Sequence, residues 1–407
     1  PESDAPHTLD KTGNRWESPL HTNRTAWQPL NPWNRNLFIK PFLRGYISNT
    51  VCEILSPHRV KNTWPQYPLR GARMLIGPEA DRLLENTSRS FFLTLKVLPR
   101  SIRKQVGLLY LLARVADTIA DSKTGHVEVL LDALDAWDKS TSQDDVPMID
   151  LSTLADLQSD SGEETLLRNV GIPLAALATI SDNDRIHVRR CLGIIIGGQT
   201  LDLKRFGPAN DSQSISPLNN DEELNDYAYR VAGCVGEFWT SMTLAHLVSA
   251  DGPASEQMFE LGIRFGKALQ MINILRDIPE DLRFGRCYIP MTRLQAAGME
   301  PDDLTEANHY EKFMPIHHDL LDITQGHLDA ATRYILMLPS NQRRLRIACM
   351  LPVIIGQRTV DMLRVNNVLD SERRVKVPRK EIKRIMRQCI IATLLPGGTR
   401  RLLMRSR

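Results

Sequence analysis

The stretch that decides the fold is residues 108–122, LLYLLARVADTIADS, whose apolar residues cover more than one face of a helix. Such a helix is expected to be buried, yet it carries Arg114, Asp117 and Asp121. The two aspartates are four residues apart, so their carboxylates point the same way, one helical turn apart. Like charges at this spacing destabilise a helix by roughly 0.2–0.5 kcal/mol. The pair therefore needs an explanation other than helix stability.

The composition favours an all-α protein. The 407 residues are 42% hydrophobic but only 6% aromatic, and stretches rich in Leu, Ile, Ala and Met dominate over alternating β-branched runs. A net charge of +3 is too small to indicate nucleic-acid binding. The cysteines are scattered and form no C-x-x-C pair, which indicates reduced thiols and a cytoplasmic location. No apolar run reaches about 18 residues, so no membrane-spanning helix is expected.

The chain divides into three predicted regions. Residues 1–77 form an irregular extension rich in Pro, Trp and Asn, residues 78–365 form a helical domain, and residues 366–407 form a basic C-terminal segment. Residues 371–407 contain 12 Lys or Arg and two acids. The predicted helices are 78–97, 101–122, 126–138, 164–180, 183–207, 221–250, 254–278, 311–338, 341–364 and 379–394. Residues 139–162 and 208–220 are predicted to be loops.

A second acidic pair, Asp277 and Asp281, stands at the end of the apolar helix predicted for residues 254–278. Gln270 and Asn273 share its face, at helical spacing. Pro279 lies between the two aspartates and lacks the backbone N–H that a helix needs. The helix is therefore predicted to kink or end here.

Two acidic pairs on apolar helices indicate a cation site more strongly than one pair does. A single D-x-x-x-D is often an accident of a solvated helix, but a buried carboxylate without a partner is costly. Either Arg114 and Arg276 neutralise the acids, or bound cations do. Mg²⁺ prefers oxygen ligands and binds through one or two carboxylates together with substrate phosphates. The sequence thus predicts a Mg²⁺–diphosphate site, with salt bridges as the alternative for the arginines.

Four ordered blocks resemble the squalene/phytoene synthase family. They are SRSFFLTLKVLP (88–99), YLLARVADTIAD (110–121), YAYRVAGCVGEFW (227–239) and ALQMINILRDIPEDLRFGRCYIP (268–290). The resemblance implies the isoprenoid synthase fold, an all-α helical bundle around a deep central cavity. It also implies Mg²⁺ and two prenyl diphosphates, joined head to head through a cyclopropyl diphosphate intermediate.

The resemblance also implies roles for individual residues. The implied metal ligands are Asp117, Asp121, Asp277 and Asp281. The implied catalytic residues are Tyr110, Arg114, Asp117 and Tyr227. The implied substrate-binding residues are Ser88, Arg89, Ser90, Phe91, Val231, Gly236, Gln270, Asn273, Arg276 and Tyr288. For the glycines at 233 and 236, helix packing is an equally good interpretation.

The expected product is squalene, formed from two farnesyl diphosphates with NADPH as reductant. The segment NNVLDSERRVKVPRKEI (366–382) resembles the cofactor-binding rim of squalene synthases, which implies nucleotide contacts from Asn367, Lys376 and Arg379. A solvated basic tail is the alternative interpretation of this segment. Phytoene or dehydrosqualene synthesis without reduction is the alternative activity.

The C-terminal residues also raise the question of membrane contact. Residues 380–403 mix basic and apolar side chains, a composition that suits the surface of an anionic membrane. A peripheral membrane location would suit an enzyme that makes a water-insoluble hydrocarbon. The alternative from another class is a non-catalytic helical protein that binds membranes or partners through this tail.

Overall fold

The computed structural model describes residues 76–87, 95, 97–122, 126–144, 148–208 and 214–406. The helices, in chain order, are α1 Pro78–Thr87, α2 Arg100–Ala120, α3 Val127–Ser142, α4 Ser152–Ala155, α5 Ser161–Arg168, α6 Gly171–Leu177, α7 Asp182–Phe206, α8 Asp221–Ala228, α9 Cys234–His246, α10 Pro253–Arg276, α11 Ile278–Leu282, α12 Met291–Ala296, α13 Tyr310–Met337, α14 Arg343–Val365, α15 Arg379–Leu394 and α16 Gly398–Arg405. A π-helical turn, Tyr229–Gly233, joins α8 to α9, and 3₁₀ turns cover Pro301–Thr305 and Ala307–His309. The all-α expectation is confirmed.

Helix α2 is buried on almost all sides, as its apolar sequence predicts. Leu108, Leu111, Leu112 and Val115 are fully buried, and the helix packs against α3, α7 and α9. The indole of Trp137, on α3, donates a hydrogen bond to the backbone carbonyl of Leu112. Because neighbours surround the helix, the polar residues in its last turn also lie inside the protein.

Helices α9 and α10 approach each other backbone to backbone. A Cβ added at Gly236 would lie 1.9 Å from the carbonyl oxygen of Gly262, and one added at Gly266 would lie 2.0 Å from that of Ala232. Only glycine permits this approach. The contact favours the helix-packing interpretation of Gly236, while its predicted substrate contact stays a prediction.

A short parallel sheet joins two parts of the chain that are far apart in sequence. Strands β1 (Ser216–Leu218) and β2 (Arg286–Pro290) pair with Ser216 opposite Arg286. Every residue of β2 is buried. The sheet therefore holds Arg286 and its neighbours inside the bundle, next to the chain that follows α7. Residues 208–220 were expected to form only a loop, so β1 corrects that prediction.

One helix prediction and a second loop prediction are wrong, and one break is confirmed. Residues 164–180 form two helices instead of one, because α5 ends at Arg168 and α6 begins at Gly171 with Pro173 in its first turn. The predicted loop 139–162 contains the end of α3 and the short helix α4. Helix α10 ends at Arg276, and α11 begins with Pro279 in its first turn, as the proline predicts.

The C-terminal residues fold back onto the bundle. Helix α15 packs on α14, and α16 packs on α13 and α15. Within the described residues, no helix combines the length and the apolar character that crossing a membrane requires. The described cysteines are buried and form no disulfide. The predicted boundaries of the extension, residues 1–77, and of the segment 366–407 stay predictions.

Candidate active site

The first aspartate pair lies at the buried end of α2. Asp117 is in the last turn of the helix and Asp121 is its C-cap. The side-chain amide of Gln199, on α7, donates a hydrogen bond of 2.8 Å to Asp117 Oδ1. A third helix thus contributes a polar side chain that orients a predicted metal ligand.

Three residues after Gln199, Asp202 forms the centre of a second polar cluster. Tyr288 Oη donates a hydrogen bond of 3.0 Å to Asp202 Oδ2. The ring of Tyr288 stacks on that of Tyr227, with centroids 4.4 Å apart and planes 19° apart. Phe206, at the end of α7, meets the Tyr288 ring edge-on. The two tyrosines that the resemblance implied are therefore in direct contact.

Charges in this cluster are strongly perturbed by burial. Burial raises the pKa of Asp202 to about 6, although Arg286 and the Tyr288 hydroxyl favour its ionised form. Burial works against the charge of Arg286, but acidic groups around it, Asp121 among them, raise the pKa of the guanidinium above its ordinary value. Burial also raises the pKa of both Tyr227 and Tyr288, so both hydroxyls stay protonated.

The second aspartate pair begins at the C-terminus of α10. Asp277 is the C-cap of α10, and its side chain accepts hydrogen bonds from Arg276, with the shortest at 2.7 Å to Oδ2. Arg276 Nη2 also donates to Asn273 Oδ1 at 3.0 Å. The salt-bridge alternative for Arg276 is therefore present in the structure, and Asn273 belongs to the same hydrogen-bonded group.

One aspartate of each pair affects the titration of buried groups on or beside strand β2. The charge of Asp121 contributes to the raised pKa of Arg286, and the charge of Asp281 contributes to those of Tyr227 and Tyr288. Strand β2 also packs against α11. Within the described part of the chain, however, no three acidic, His or Cys side chains form a ready-made metal cluster. A cation here would need ligands from the substrate as well as from the protein.

Two buried polar atoms are suited to bind a ligand. Among the described residues, the carbonyl oxygen Oε1 of Gln270 and the Nε of Arg286 have no hydrogen-bond partner. Both side chains are about 95% buried, at 5% exposure each. Leaving such groups unsatisfied costs about 1–3 kcal/mol apiece, so a bound ligand that satisfies them is favoured. An acceptor and a donor suit a site that holds a cation together with an anion.

The remaining predicted residues have varied surroundings. Arg114 is buried and forms an ion pair with Glu163 of α5. Tyr110, one turn before Arg114, and Val231, in the π-helical turn, are buried. The predicted substrate-binding residues Ser88, Arg89, Ser90 and Phe91 lie outside the described residues.

The predicted cofactor residues lie in the segment between α14 and α15. Asn367 uses its side chain within the protein: Nδ2 donates to the Ala307 carbonyl at 2.7 Å, and Oδ1 accepts from the Leu369 N–H. Lys376 and Arg379 are exposed. In the same segment, Arg374 Nη2 lies 2.8 Å from Asp277 Oδ1, which brings this segment to the second aspartate pair.

Sequence reasoning missed four of these residues. They are Gln199, Asp202, Arg286 and Arg374. Gln199 and Asp202 are polar residues three positions apart in GGQTLDL, on a helix with no other sign of function. Arg286 stands two residues before Tyr288 and could have been found as a charged residue in a short apolar strand. Arg374 carries no local signal.

The chain is similar in sequence to several known proteins. A presqualene diphosphate synthase from Zymomonas mobilis is 31% identical over 249 residues, which cover 61% of this chain and 72% of that protein. A bifunctional lycopene cyclase/phytoene synthase from Podospora anserina is 28% identical over 62% of this chain, but this alignment covers only 41% of the fungal protein. Phytoene synthase 1 from Zea mays is 26% identical over 57% of this chain and 49% of its own length.

Solved structures show the same fold. A complex of TcSQS with the ligand E5700 matches with a TM-score of 0.64 and 18% identity, over 81% of this chain and 89% of that one. The squalene synthase HpnC from Alicyclobacillus acidocaldarius matches with a TM-score of 0.50 and 19% identity, over 71% and 93%. The bundle is therefore an isoprenoid synthase fold. The squalene/phytoene synthase model matches residues 84–381, which include all four sequence blocks and all of the described site, and the chain belongs to this family of prenyl transferases.

Proposed function

We propose that the chain joins two farnesyl diphosphates head to head, in a Mg²⁺-dependent reaction, and forms a cyclopropyl diphosphate. The observation that carries the proposal is the hydrogen-bonded link from Asp117 through Gln199 and Asp202 of α7 to Tyr288, on the strand that follows Asp281. The electrostatics agree with it, because the charge of Asp121 favours the protonated Arg286 and the charge of Asp281 raises the pKa of Tyr288. We therefore propose that both aspartate pairs bind one diphosphate through Mg²⁺.

The residues present fit the implied metal and diphosphate. Asp117, Asp121, Asp277 and Asp281 offer the hard oxygen ligands that Mg²⁺ prefers, and no described cluster of three can hold it without substrate. Bound Mg²⁺ would act as a Lewis acid that neutralises the departing diphosphate. The buried, positively charged Arg286 would add a hydrogen-bond donor, its Nε, for a phosphate oxygen.

The aromatic residues suit a carbocation reaction. Tyr227 and Tyr288 are stacked and stay protonated, so neither becomes an anionic nucleophile that would trap the cation. The face of an aromatic ring attracts positive charge. The apolar side chains of α2 and α10 exclude the water that would otherwise quench a carbocation.

Reduction to squalene with NADPH is a separate proposal. It depends on the resemblance of residues 366–382 to a cofactor rim, where we propose that Asn367, Lys376 and Arg379 contact the nucleotide. A second candidate is a reaction that stops at the cyclopropyl diphosphate. The 31% identical relative that is named presqualene diphosphate synthase favours this candidate.

One experiment tests both proposals. The protein is incubated with farnesyl diphosphate and Mg²⁺, with and without NADPH, and the products are extracted before and after phosphatase treatment. A cyclopropyl C30 alcohol that appears only after phosphatase supports the condensation, and squalene that appears only with NADPH supports the reduction. The same hydrocarbon in both tubes refutes the reductive step, and a strong preference for geranylgeranyl diphosphate favours phytoene synthesis.

The non-catalytic alternative predicts a different outcome. A helical protein without an active site should consume no substrate and gain no thermal stability from prenyl diphosphate with Mg²⁺. The family enzyme should be stabilised by the two together, since ligands that bind only the native state raise its stability. Asp281→Asn is the matched control, because it removes one predicted ligand and should reduce this stabilisation.

We also propose a peripheral contact between the C-terminal helices and anionic membranes. Ile391 and Leu394, on α15, are 55% and 57% exposed, and Lys383 and Arg387 are exposed on the same helix. Apolar and basic side chains together suit an anionic lipid surface. Flotation with phosphatidylserine vesicles should carry the protein upward, and Ile391→Glu should weaken this. Protein that stays in the pellet with anionic vesicles refutes the contact.

A further inference from the structure

The chain between α14 and α15 doubles back onto the second aspartate pair. We name residues 366–378 the rim segment. Four apolar side chains anchor it, with 2–5% of their surface exposed: Val368, Leu369, Val375 and Val377. Arg374 directly precedes one of these anchors. Packing of these four side chains and the ion pair of Arg374 with Asp277 together hold the segment on the bundle.

Arg374 forms ion pairs with Asp277 and with Glu280, the next acid along the chain. Its Nη2 lies 2.8 Å from Asp277 Oδ1 and 3.2 Å from Glu280 Oε2. Arg276 contacts both carboxylate oxygens of Asp277, with its Nη2 2.7 Å from Oδ2 and its Nε 3.0 Å from Oδ1. Two guanidinium groups from different parts of the chain therefore cover both oxygens of one predicted metal ligand.

The two arginines differ in how easily they can leave. Asp277 is 4% exposed and Arg276 is 9% exposed, and they are adjacent in sequence. Arg374 is 41% exposed and belongs to a segment without helix or strand hydrogen bonds. Of the two guanidinium groups on Oδ1, that of Arg374 is the one that water reaches, so a cation that approaches this oxygen competes first with Arg374.

We propose that Arg374 is an internal counter-ion that occupies Asp277 in the metal-free protein and leaves it when a divalent cation binds. The inference rests on the proposed function, because it takes Asp277 to be a metal ligand. Its consequence is a coupling: cation binding at Asp277 loosens the rim segment, the same part of the chain for which nucleotide contacts are proposed. Arg374 is a positioning residue, since it acts through Asp277.

The first test measures metal binding beside a diphosphate that cannot react. The full chain is titrated with Mn²⁺ at a fixed concentration of inorganic pyrophosphate, and free Mn²⁺ is followed by electron paramagnetic resonance against the same titration without protein. Arg374→Gln should bind Mn²⁺ about tenfold more tightly than wild type, because a unit charge about 5 Å from a divalent ion opposes it by that factor in a watery environment. Arg373→Gln is the matched control: its side chain is 87% exposed and lies 3.7 Å from Asp370, so affinity should change less than about twofold.

The outcomes separate the two proposals. If Asp277→Asn abolishes Mn²⁺ binding but Arg374→Gln and Arg373→Gln are alike, the role of Arg374 is refuted and the metal site stands. If Asp277→Asn binds Mn²⁺ as wild type does, or wild type binds none, the proposed site fails and the counter-ion fails with it.

A second readout does not depend on a variant that folds well. Lys376 lies between two buried valines, so trypsin should cut after it slowly while the rim segment is in place. Mn²⁺ should speed this cut in wild type and in Arg373→Gln. In Arg374→Gln the cut should be fast with or without Mn²⁺. A cleavage rate that does not change with Mn²⁺ in wild type overturns the inference.

Discussion

Replacing Gly236 by alanine should destabilise the protein through a clash that the structure measures. The new Cβ would lie 1.9 Å from the carbonyl oxygen of Gly262, whereas ordinary contacts begin at 3.4 Å. Helices α9 and α10 would have to separate by the difference, about 1.5 Å, and lose contacts along their interface. Overpacking of this kind costs about 3 kcal/mol at the upper end, and the better helix propensity of alanine returns about 1 kcal/mol. The expected net loss is about 2 kcal/mol.

Gly193→Ala is the control, because it makes the same chemical change on another helix. Its Cβ would meet Asp138 Oδ1 at 3.6 Å, an ordinary contact, so the gain in helix propensity of up to about 1 kcal/mol should remain. In thermal unfolding, Gly236→Ala should lower the melting temperature by about 4 °C and Gly193→Ala should raise it by about 1–2 °C. Equal shifts, or a Gly236→Ala protein as stable as wild type, would refute the clash.

Three further predictions follow from buried polar contacts. Tyr288→Phe removes the hydrogen bond to Asp202 and should lower the free energy of unfolding by about 1–3 kcal/mol at pH 8. The loss should be smaller at pH 5, because a carboxyl with a pKa of about 6 is then protonated, and equal losses at both pH values in chemical denaturation contradict this. Gln199→Leu should weaken the apparent Mg²⁺ affinity of the reaction by about 10- to 100-fold, the usual effect of losing a hydrogen bond that orients a metal ligand. Gln105→Leu is the control, because it breaks another 2.8 Å hydrogen bond between α2 and α7 and should leave this affinity unchanged. Burial lowers the pKa of His317 to about 4, so on acidification the unfolded chain takes up this proton before the native state does. Between pH 7 and pH 5 the free energy of unfolding should therefore fall by about 2 kcal/mol more in wild type than in His317→Gln, as measured by urea unfolding, and equal pH dependence in the two proteins contradicts this.

The helices were predictable where the sequence pattern is local. The apolar run of α2 specifies a buried helix whatever surrounds it, and observed bounds of Arg100–Ala120 agree with the predicted 101–122. Pro279 ends α10 because the missing N–H acts within one turn. Residues 164–180 were predicted less well, since Gly171 and Pro173 are weak signals that also occur inside helices. The short strands were missed because three to five residues carry too little pattern.

The site was predictable only as far as its motifs are local. Each aspartate pair is recognisable from its own helix, and Tyr227 and Tyr288 from their blocks. Gln199 and Asp202 look like ordinary polar residues of α7 until packing places them beside Asp117 and Tyr288. Arg374 contacts an aspartate 97 residues away, and nothing in the neighbourhood of either residue indicates that contact.

The positions of Asp121 and Asp277 argue for function over stability. Each is the C-cap of a helix, α2 and α10, where the helix dipole places partial negative charge. An acid there costs about 0.3–1 kcal/mol, and a lysine or arginine would gain a similar amount. Arginine side chains offset this cost: the charges of Arg286 and Asp121 stabilise each other, and Arg276 and Arg374 form ion pairs with Asp277. Acids at two helix ends, each neutralised by arginine side chains, are what the proposed cation site predicts, and the more exposed guanidinium is the one that we expect a divalent cation to displace.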